Sequence, residues 1–371
     1  MHNPFTPTFG TSPSHPVGRQ EVLVAFQSAL DQGPGAPSRA LLLIGTRGVG
    51  KTVLLNELED TARSNGMHVI SETALPGLLS RFTDDHLPAL LRDIDPRATG
   101  TRLTGFSAPA GLGGVRTERV EKHEPDPGLR SLLNDVLSHA PNGLFLTVDE
   151  VGRATVDELA ELMAAIQHLF RENKNIAFAI AGLPEEVNAL LDHPGITFLR
   201  RADRHLLGAV TPEDALRGLQ DPVREAGGSW DAAALQTAMQ ATHGYPFLIQ
   251  LIGYHSWNRA TDGKLDLAAA QRGIELAHAE LGKLVLEPVL SRCTELELAF
   301  LTAMAEDDGD SKLADIIERI DRSADTASQY RRRLIDRFII VPSGHGLLRF
   351  AIPGLRDFLR RKQDAAPIPF W

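Results

Sequence analysis

The stretch "GTRGVGKT", residues 45–52, constrains this chain more than any other. It fits G-x-x-x-x-G-K-[ST]. The run before it, "RALLLIG", is short and wholly apolar, as a buried parallel strand is. The run after it, "KTVLLNELEDTARSNG", has helical spacing through Val53, Leu54, Leu58 and Ala62 and stops at Gly66. A strand, a glycine turn and a helix in that order make a phosphate site. Backbone N–H groups must turn inward onto an anion, and side chains at Gly45, Gly48 and Gly50 would obstruct them. The helix that follows points its positive end at the same anion. Lys51 adds a point charge for the β- and γ-phosphates, and the Thr52 hydroxyl is a ligand for Mg²⁺. Val49, inside the loop, and Val53, in the first helical turn, complete the expected cradle. ATP and Mg²⁺ are therefore the expected cofactors.

The second half of such a site is "LFLTVDE", an apolar strand ending in two carboxylates. Asp149 is placed to hold Mg²⁺, often through water, and Glu150 to polarise an attacking water. An acidic pair after a strand also serves as a helix cap. Further on, "TFLRRADRHLLGAV" offers Arg200, Arg201 and Arg204. One of them, taken as Arg201, reaches the nucleotide of a neighbouring subunit as an arginine finger, or the three form a solvated charge run. Fingers contribute about 10³–10⁵ in rate.

With 371 residues the chain is too long for one ordinary core. Residues 1–17, rich in Pro, Ser and Thr, read as an extended arm. Residues 18–210 alternate strand and helix, which predicts a parallel sheet with helices on both faces. The break is 97–127, where glycines and prolines surround two short candidate strands (Thr101–Phe106 and Val115–Val120), read as an inserted hairpin or loop. From Thr211 to about 288 the pattern is all-helical and reads as a lid. "TPEDALRGLQDPVREAG" opens it with a Thr cap and Pro at the first helical position. No window approaches the ~20 apolar residues of a membrane helix. The N-terminus lacks a basic region followed by an apolar run, and Cys293 stands alone, so a reducing, cytoplasmic setting is expected. The thirteen histidines show no metal spacing.

Residues 289–371 change again. "TELELAFLTAMAE", "SKLADIIERI" and "SADTASQYRRRLIDRFI" read as three helices, and "IIVPSGHGLLRFAI" as two strands around a turn. Three helices and a hairpin are the winged variant of helix-turn-helix. On the third helix Ala327, Tyr330, Leu334 and Phe338 share an inward face. Ser328, Gln329, Arg332 and Arg333 point away, and are types that contact base edges and phosphates. Arg349 on the wing adds a phosphate contact. The chain carries a net charge of −10, yet from Ser311 onward twelve Lys/Arg face seven Asp/Glu. That local excess points to double-stranded DNA, with Asp336 on the same face as counter-evidence.

"VGRQEVL", "GTRGVGKT", "TVDE", "AGLP", "FLRRADRHLLG" and "HGYPFLIQLIG", in this order, resemble AAA+ P-loop ATPases of the origin-recognition-like group, which shades into the STAND signalling ATPases. The resemblance covers about residues 17–371. It implies a P-loop NTPase sheet, an all-helical lid and a winged helix-turn-helix domain. It implies that Gly18-Arg19 lines the adenine pocket, and the arginine-finger option for Arg201 would require a homo-oligomer. There are two departures. The strand "IAFAIAGLP" ends in Ala-Gly where many AAA+ ATPases carry a polar residue that orients water. The lid offers Gly244-Tyr245-Pro246, similar to the Gly-x-Pro of STAND proteins, in place of a sensor arginine. Both imply a slow ATP/ADP switch rather than a motor, and the winged helix would couple that switch to DNA. The alternative is a signalling ATPase whose winged helix binds protein or autoinhibits.

Overall fold

The computed structural model describes residues 2–8, 12–13, 15–95, 128–152 and 155–365. The expected strands at 101–106 and 115–120 lie outside the described residues.

Five strands form one parallel sheet: β1 (Ala40–Ile44), β2 (His68–Thr73), β3 (Leu144–Val151), β4 (Ile176–Gly182) and β5 (Asp203–Leu206), in the order β2-β3-β4-β1-β5. The apolar runs are continuous because both faces are covered. Successive side chains point to opposite faces, so each strand feeds two cores. Leu41, Leu43, Phe145, Ala177, Ala179 and Ala181 join one core with α1 (Gln20–Gln32) and α2 (Lys51–Ser64). Leu42, Leu144, Leu146, Ile176, Phe178 and Ile180 join the other. That second core is closed by α3 (Leu78–Ser80), a π turn (Arg81–His86), α4 (Leu87–Ile94), α5 (Leu129–His139), α6 (Val156–Arg171) and α7 (Pro184–Asp192). The helical stretch at 78–94 has no counterpart in the sequence reading.

The lid holds α8 (Pro212–Glu225), α9 (Ala232–Thr242), α10 (Pro246–Trp257), α11 (Leu267–Leu281), a π turn (Gly282–Leu286) and α12 (Glu287–Leu290). Thr211 caps α8, its Oγ1 accepting from the Asp214 amide at 3.1 Å. One correction applies to the stretch after Thr211. A two-residue parallel pair, β6 (Ser229–Trp230) with β7 (Lys264–Leu265), closes the ends of the lid helices.

The C-terminal elements are α13 (Glu295–Ala305), β8 (Ser311–Lys312), α14 (Leu313–Ile320), α15 (Ala324–Asp336), β9 (Ile340–Gly344), β10 (Leu347–Phe350) and α16 (Leu355–Ala365). The three strands pair antiparallel in the order β8-β10-β9. Ala327 and Leu334 are fully buried and Tyr330 packs beside them. Phe338 is a correction: it lies past the end of α15 with φ +57°, and Ile339 takes the buried position beyond it.

The first residues are strapped to α10. Asn3 Nδ2 donates to the Tyr254 carbonyl at 3.0 Å, and the Thr6 amide donates to Gln250 Oε1 at 3.1 Å. Phe5 is buried against Val223, Trp257 and Leu265. Its ring lies over Gly253, where an added Cβ would come within 2.2 Å of it. Gly253→Ala is therefore expected to expel Phe5 and free the arm, although alanine gains about 1 kcal/mol of helix propensity. Limited proteolysis checks this: cleavage within residues 2–8 should become faster, and an unchanged cleavage rate would rule the strap out.

Candidate nucleotide site

The turn after β1 is built for close approach. The Gly45 amide donates to the Gly182 carbonyl at 3.3 Å, and a Cβ at 45 would lie 2.7 Å from Val49 Cγ2 and 2.8 Å from the Leu207 carbonyl. Gly48 and Gly50 have φ of +77° and +89°, which side chains rarely adopt. Lys51 opens α2 and curls back, its Nζ donating to the Gly45 and Thr46 carbonyls at 2.9 and 3.0 Å. Burial lowers the Lys51 pKa to about 8, against the opposing pull of Asp149, Glu186 and Glu150. An ammonium held by neutral carbonyls in a desolvated loop still lacks a full counter-charge, which a phosphate would supply.

The carboxylates meet this loop as the sequence suggests. Thr52 Oγ1 donates to Asp149 Oδ2 at 2.6 Å, and the Glu150 amide donates to Asp149 Oδ1 at 2.8 Å. The second bond depends on a kink. The β3–β4 register slips between Val148 and Val151, and Glu150 sits at φ +54°. Such a conformation costs about 1–3 kcal/mol in a non-glycine residue and persists where its surroundings enforce it. Glu150 thereby turns out of the sheet into the cavity that Lys51 and Asp149 line.

Two walls come from elsewhere. Tyr245 is buried and its hydroxyl donates to the Arg47 carbonyl, while the Phe247 amide donates to the Gly48 carbonyl at 3.2 Å. The Gly-Tyr-Pro of the lid thus rests on the phosphate loop itself. Arg19 donates to the carbonyls of Gly208 at 2.5 Å and Val49 at 3.2 Å. Its guanidinium braces the loop, with burial lowering its pKa and Asp214 opposing that. The Val49 side chain faces the core. The cavity between these walls measures about 460 Å³, within the ordinary range for small-molecule sites. Val53 lines it, as do Thr6 and His15 of the arm.

The residues fit a magnesium nucleotide. Gly45, Gly48, Gly50 and Lys51 would cradle its phosphates, and Thr52 and Asp149 would offer adjoining oxygens to a hard cation. Arg201 is not among them. It is exposed, in a 3-10 segment (Pro194–Arg201) that leads into β5. Asp203 pairs with Leu41, near the start of β1, whereas the glycine loop follows the end of β1. Arg201 thus precedes β5 at the end of the sheet opposite to this chain's own glycine loop. Ser328, Gln329, Arg332, Arg333 and Arg349 are exposed on α15 and β10, away from the cavity, as is Asp336.

One group at the site escaped the sequence reading. Glu186, in the first turn of α7, lines the cavity, and its Oε2 accepts from the Leu183 amide at 3.3 Å. Burial raises its pKa against the pull of that amide, Arg292 and Lys51. The signal was "AGLPEE": a strand end, then a proline and a carboxylate three residues after the turn.

Comparison with known proteins agrees with the fold of this part of the chain. Residues 15–180 match the model of the AAA ATPase domain. That segment is an AAA ATPase domain. Residues 283–359 match a domain of unknown function. No curated protein matches the chain. The Walker-type ATPase of Pyrococcus abyssi superposes with a TM-score of 0.64 at 17% identity, over 94% of this chain and 97% of that one. At that distance the likeness concerns the fold. Cdc6p of Pyrobaculum aerophilum gives 0.45 at 16% identity, over 97% of this chain and 98% of that one.

The Lys51 environment of this ATPase domain has a measurable consequence. In the unfolded chain Lys51 keeps its proton to the ordinary lysine value of 10.5, in the folded chain only to about 8. Between those values the unfolded state binds more protons, so stability rises with pH, while below 8 the cost of the buried charge is present in full. Without nucleotide, the stability of wild type relative to Lys51→Met should therefore rise from pH 8 to 10.5 in urea unfolding. A difference independent of pH would overturn the assignment.

Proposed function

We propose that the chain is an ATP-binding switch ATPase with slow, Mg²⁺-dependent hydrolysis, whose nucleotide state controls DNA binding by a C-terminal winged helix. The observation that carries the reading is the Thr52–Asp149 hydrogen bond beside Lys51 in the glycine loop. ATP supplies a phosphoanhydride, and the chain's own residues do the rest. Lys51 and the loop amides bind the phosphates, Thr52 and Asp149 hold the cation, and Glu150 orients water. β4 ends in Ala181-Gly182, with no polar side chain there to help Glu150, which supports slow turnover. An Arg201 that acts on a nucleotide does so toward a neighbouring copy, so the finger reading includes a homo-oligomer, and otherwise Arg201 belongs to a solvated charge run. The setting is cytoplasmic; no described helix is long and apolar enough to cross a membrane.

The DNA half rests on α15. Its outward face carries Ser328, Gln329, Arg332 and Arg333, all exposed, in a unit of four helices and a three-stranded sheet. ATP at about 1,000 times its Kd favours the competent state by up to ~4 kcal/mol if the other state does not bind it. A second reading, a signalling ATPase whose C-terminal unit docks on protein, is favoured by one contact: Arg337 approaches Glu185 of α7 at 3.7 Å.

Fluorescence anisotropy of a labelled mixed-sequence duplex, with ATP, with ADP and with neither, separates the two. Binding should depend on nucleotide and weaken between about 50 and 200 mM salt. The double change Arg332→Ala, Arg333→Ala should weaken it at least tenfold, or about 1.4 kcal/mol. No binding in any state leaves the signalling reading. Lys51→Ala should abolish nucleotide binding. Glu150→Gln should keep binding and slow hydrolysis by about 10²-fold or more; unchanged turnover would remove Glu150 from the mechanism.

A further inference from the structure

Two adjacent carboxylates in the first turn of α7 have different partners. Glu186 lines the nucleotide cavity with Lys51. Glu185 faces the C-terminal unit, its Oε2 lying 3.7 Å from Arg337 Nε. Consecutive residues on a helix point about 100° apart, so one turn serves both sides. Arg337 directly follows α15. Its Nη1 lies 3.4 Å from Glu297 Oε2 and 3.7 Å from Cys293 Sγ. Glu297 in turn accepts from the Thr294 amide at 2.9 Å, capping α13. A single guanidinium, only 16% exposed, thus ties the end of α15 and the start of α13 to the turn that borders the nucleotide.

The two ends of this arrangement share a rigid part. α7 is a nine-residue helix whose Val187, Leu190 and Leu191 are buried in the sheet's core. Its first turn follows directly from β4 through Leu183, and Gly182 of β4 accepts from the Gly45 amide of the phosphate loop. Glu186 has its carboxylate held toward the cavity by the Leu183 amide. An anion held by Lys51 in the cavity that Glu186 lines brings like charge toward that carboxylate and repels it. A Glu186 carboxylate driven from the cavity gives up its hydrogen bond to the Leu183 amide, which opens the turn that carries Glu185.

We propose that the first turn of α7 transmits phosphate occupancy to the C-terminal unit: added negative charge beside Glu186 moves the turn and loosens the Glu185–Arg337 tie. Glu186 is then the sensing residue and Glu185 a positioning residue that acts through Arg337. The inference rests on the nucleotide reading above. It supplies what coupling requires, one element whose position both sites bias. By linkage, releasing Arg337 from Glu185 changes nucleotide preference in return.

Hydrogen exchange on the full chain tests this, with a non-hydrolysable ATP analogue, with ADP and with no nucleotide. In wild type, amides of Glu295–Ala305 and Ala324–Asp336 should exchange at least about fivefold faster with the analogue than with ADP, the low end of ordinary coupling. Protection of residues 45–54 should accompany both nucleotides. Glu185→Gln, on a partly exposed residue outside the nucleotide site, should keep the protection at 45–54 and lose the difference in the C-terminal helices. Glu186→Gln should also reduce that difference. Protection at 45–54 with no C-terminal difference in wild type, or a full difference in Glu185→Gln, would overturn the proposal. No protection at 45–54 with either nucleotide would overturn the nucleotide reading itself, and the proposal with it.

Discussion

A parallel sheet survives in water only when both of its faces are covered, and this chain covers them with different material. On β4 the face toward α2 carries Ala177, Ala179 and Ala181, and the face toward α6 carries Ile176, Phe178 and Ile180. Small side chains on one side allow α2 to lie close, with Leu54, Leu55 and Leu58 packed in the same core. That closeness matters because α2 begins at Lys51. A helix held further from the sheet would draw Lys51 and Thr52 away from Asp149, which belongs to the neighbouring strand. The 2.6 Å bond between Thr52 and Asp149 is thus a result of alanines several residues away.

The same burial creates the tension at the site. Lys51 is turned into a pocket that strips its water, with Asp149, Glu150 and Glu186 nearby. Asp149 is already occupied by Thr52 and by the Glu150 amide. Glu186 is itself pushed up by burial. None of the three carboxylates forms a close ion pair with Lys51 among the described residues. A lysine left in that state favours an anion able to reach the loop amides as well, which is what a phosphate chain offers.

Much of this was legible in order along the sequence. The strand–loop–helix around 45–52 was readable because glycine placement, apolar run and helical period agree locally. So was the acidic end of β3. What was not legible depends on contacts distant in sequence. Nothing in "GYPF" says that Tyr245 and Phe247 rest on Arg47 and Gly48, since that requires α10 to fold back over the loop. Nothing in a Pro- and Thr-rich N-terminus says that Phe5 finds a slot at Gly253. The misplacement of Phe338 has a local cause. The helical period was extended through it, but the chain turns left-handed there, and Ile339 enters the core as the strand begins. Glu186 escaped because a carboxylate in a first helical turn is usually explained by the helix dipole alone.

The C-terminal unit is held in two ways of unequal strength, and the inequality decides how it can move. Its α16 packs on the lid through Leu355, Leu359 and Phe358, against Leu281, Val285 and Leu286, in a core continuous with that of α2. Gly282 is needed there, since a Cβ would come 2.9 Å from the Phe358 ring. Five of these six side chains are buried, and each contributes about 1.5–3 kcal/mol relative to exposure. Against the ATPase sheet the hold includes the Glu185–Arg337 pair, whose acidic side is 29% exposed. Partly exposed pairs contribute about 0–1 kcal/mol. On the proposed switch reading, a change of state gives way first at the ion pair and leaves the α16 contact in place. Loosening at one polar contact requires little energy, and that suits a slow switch better than a motor.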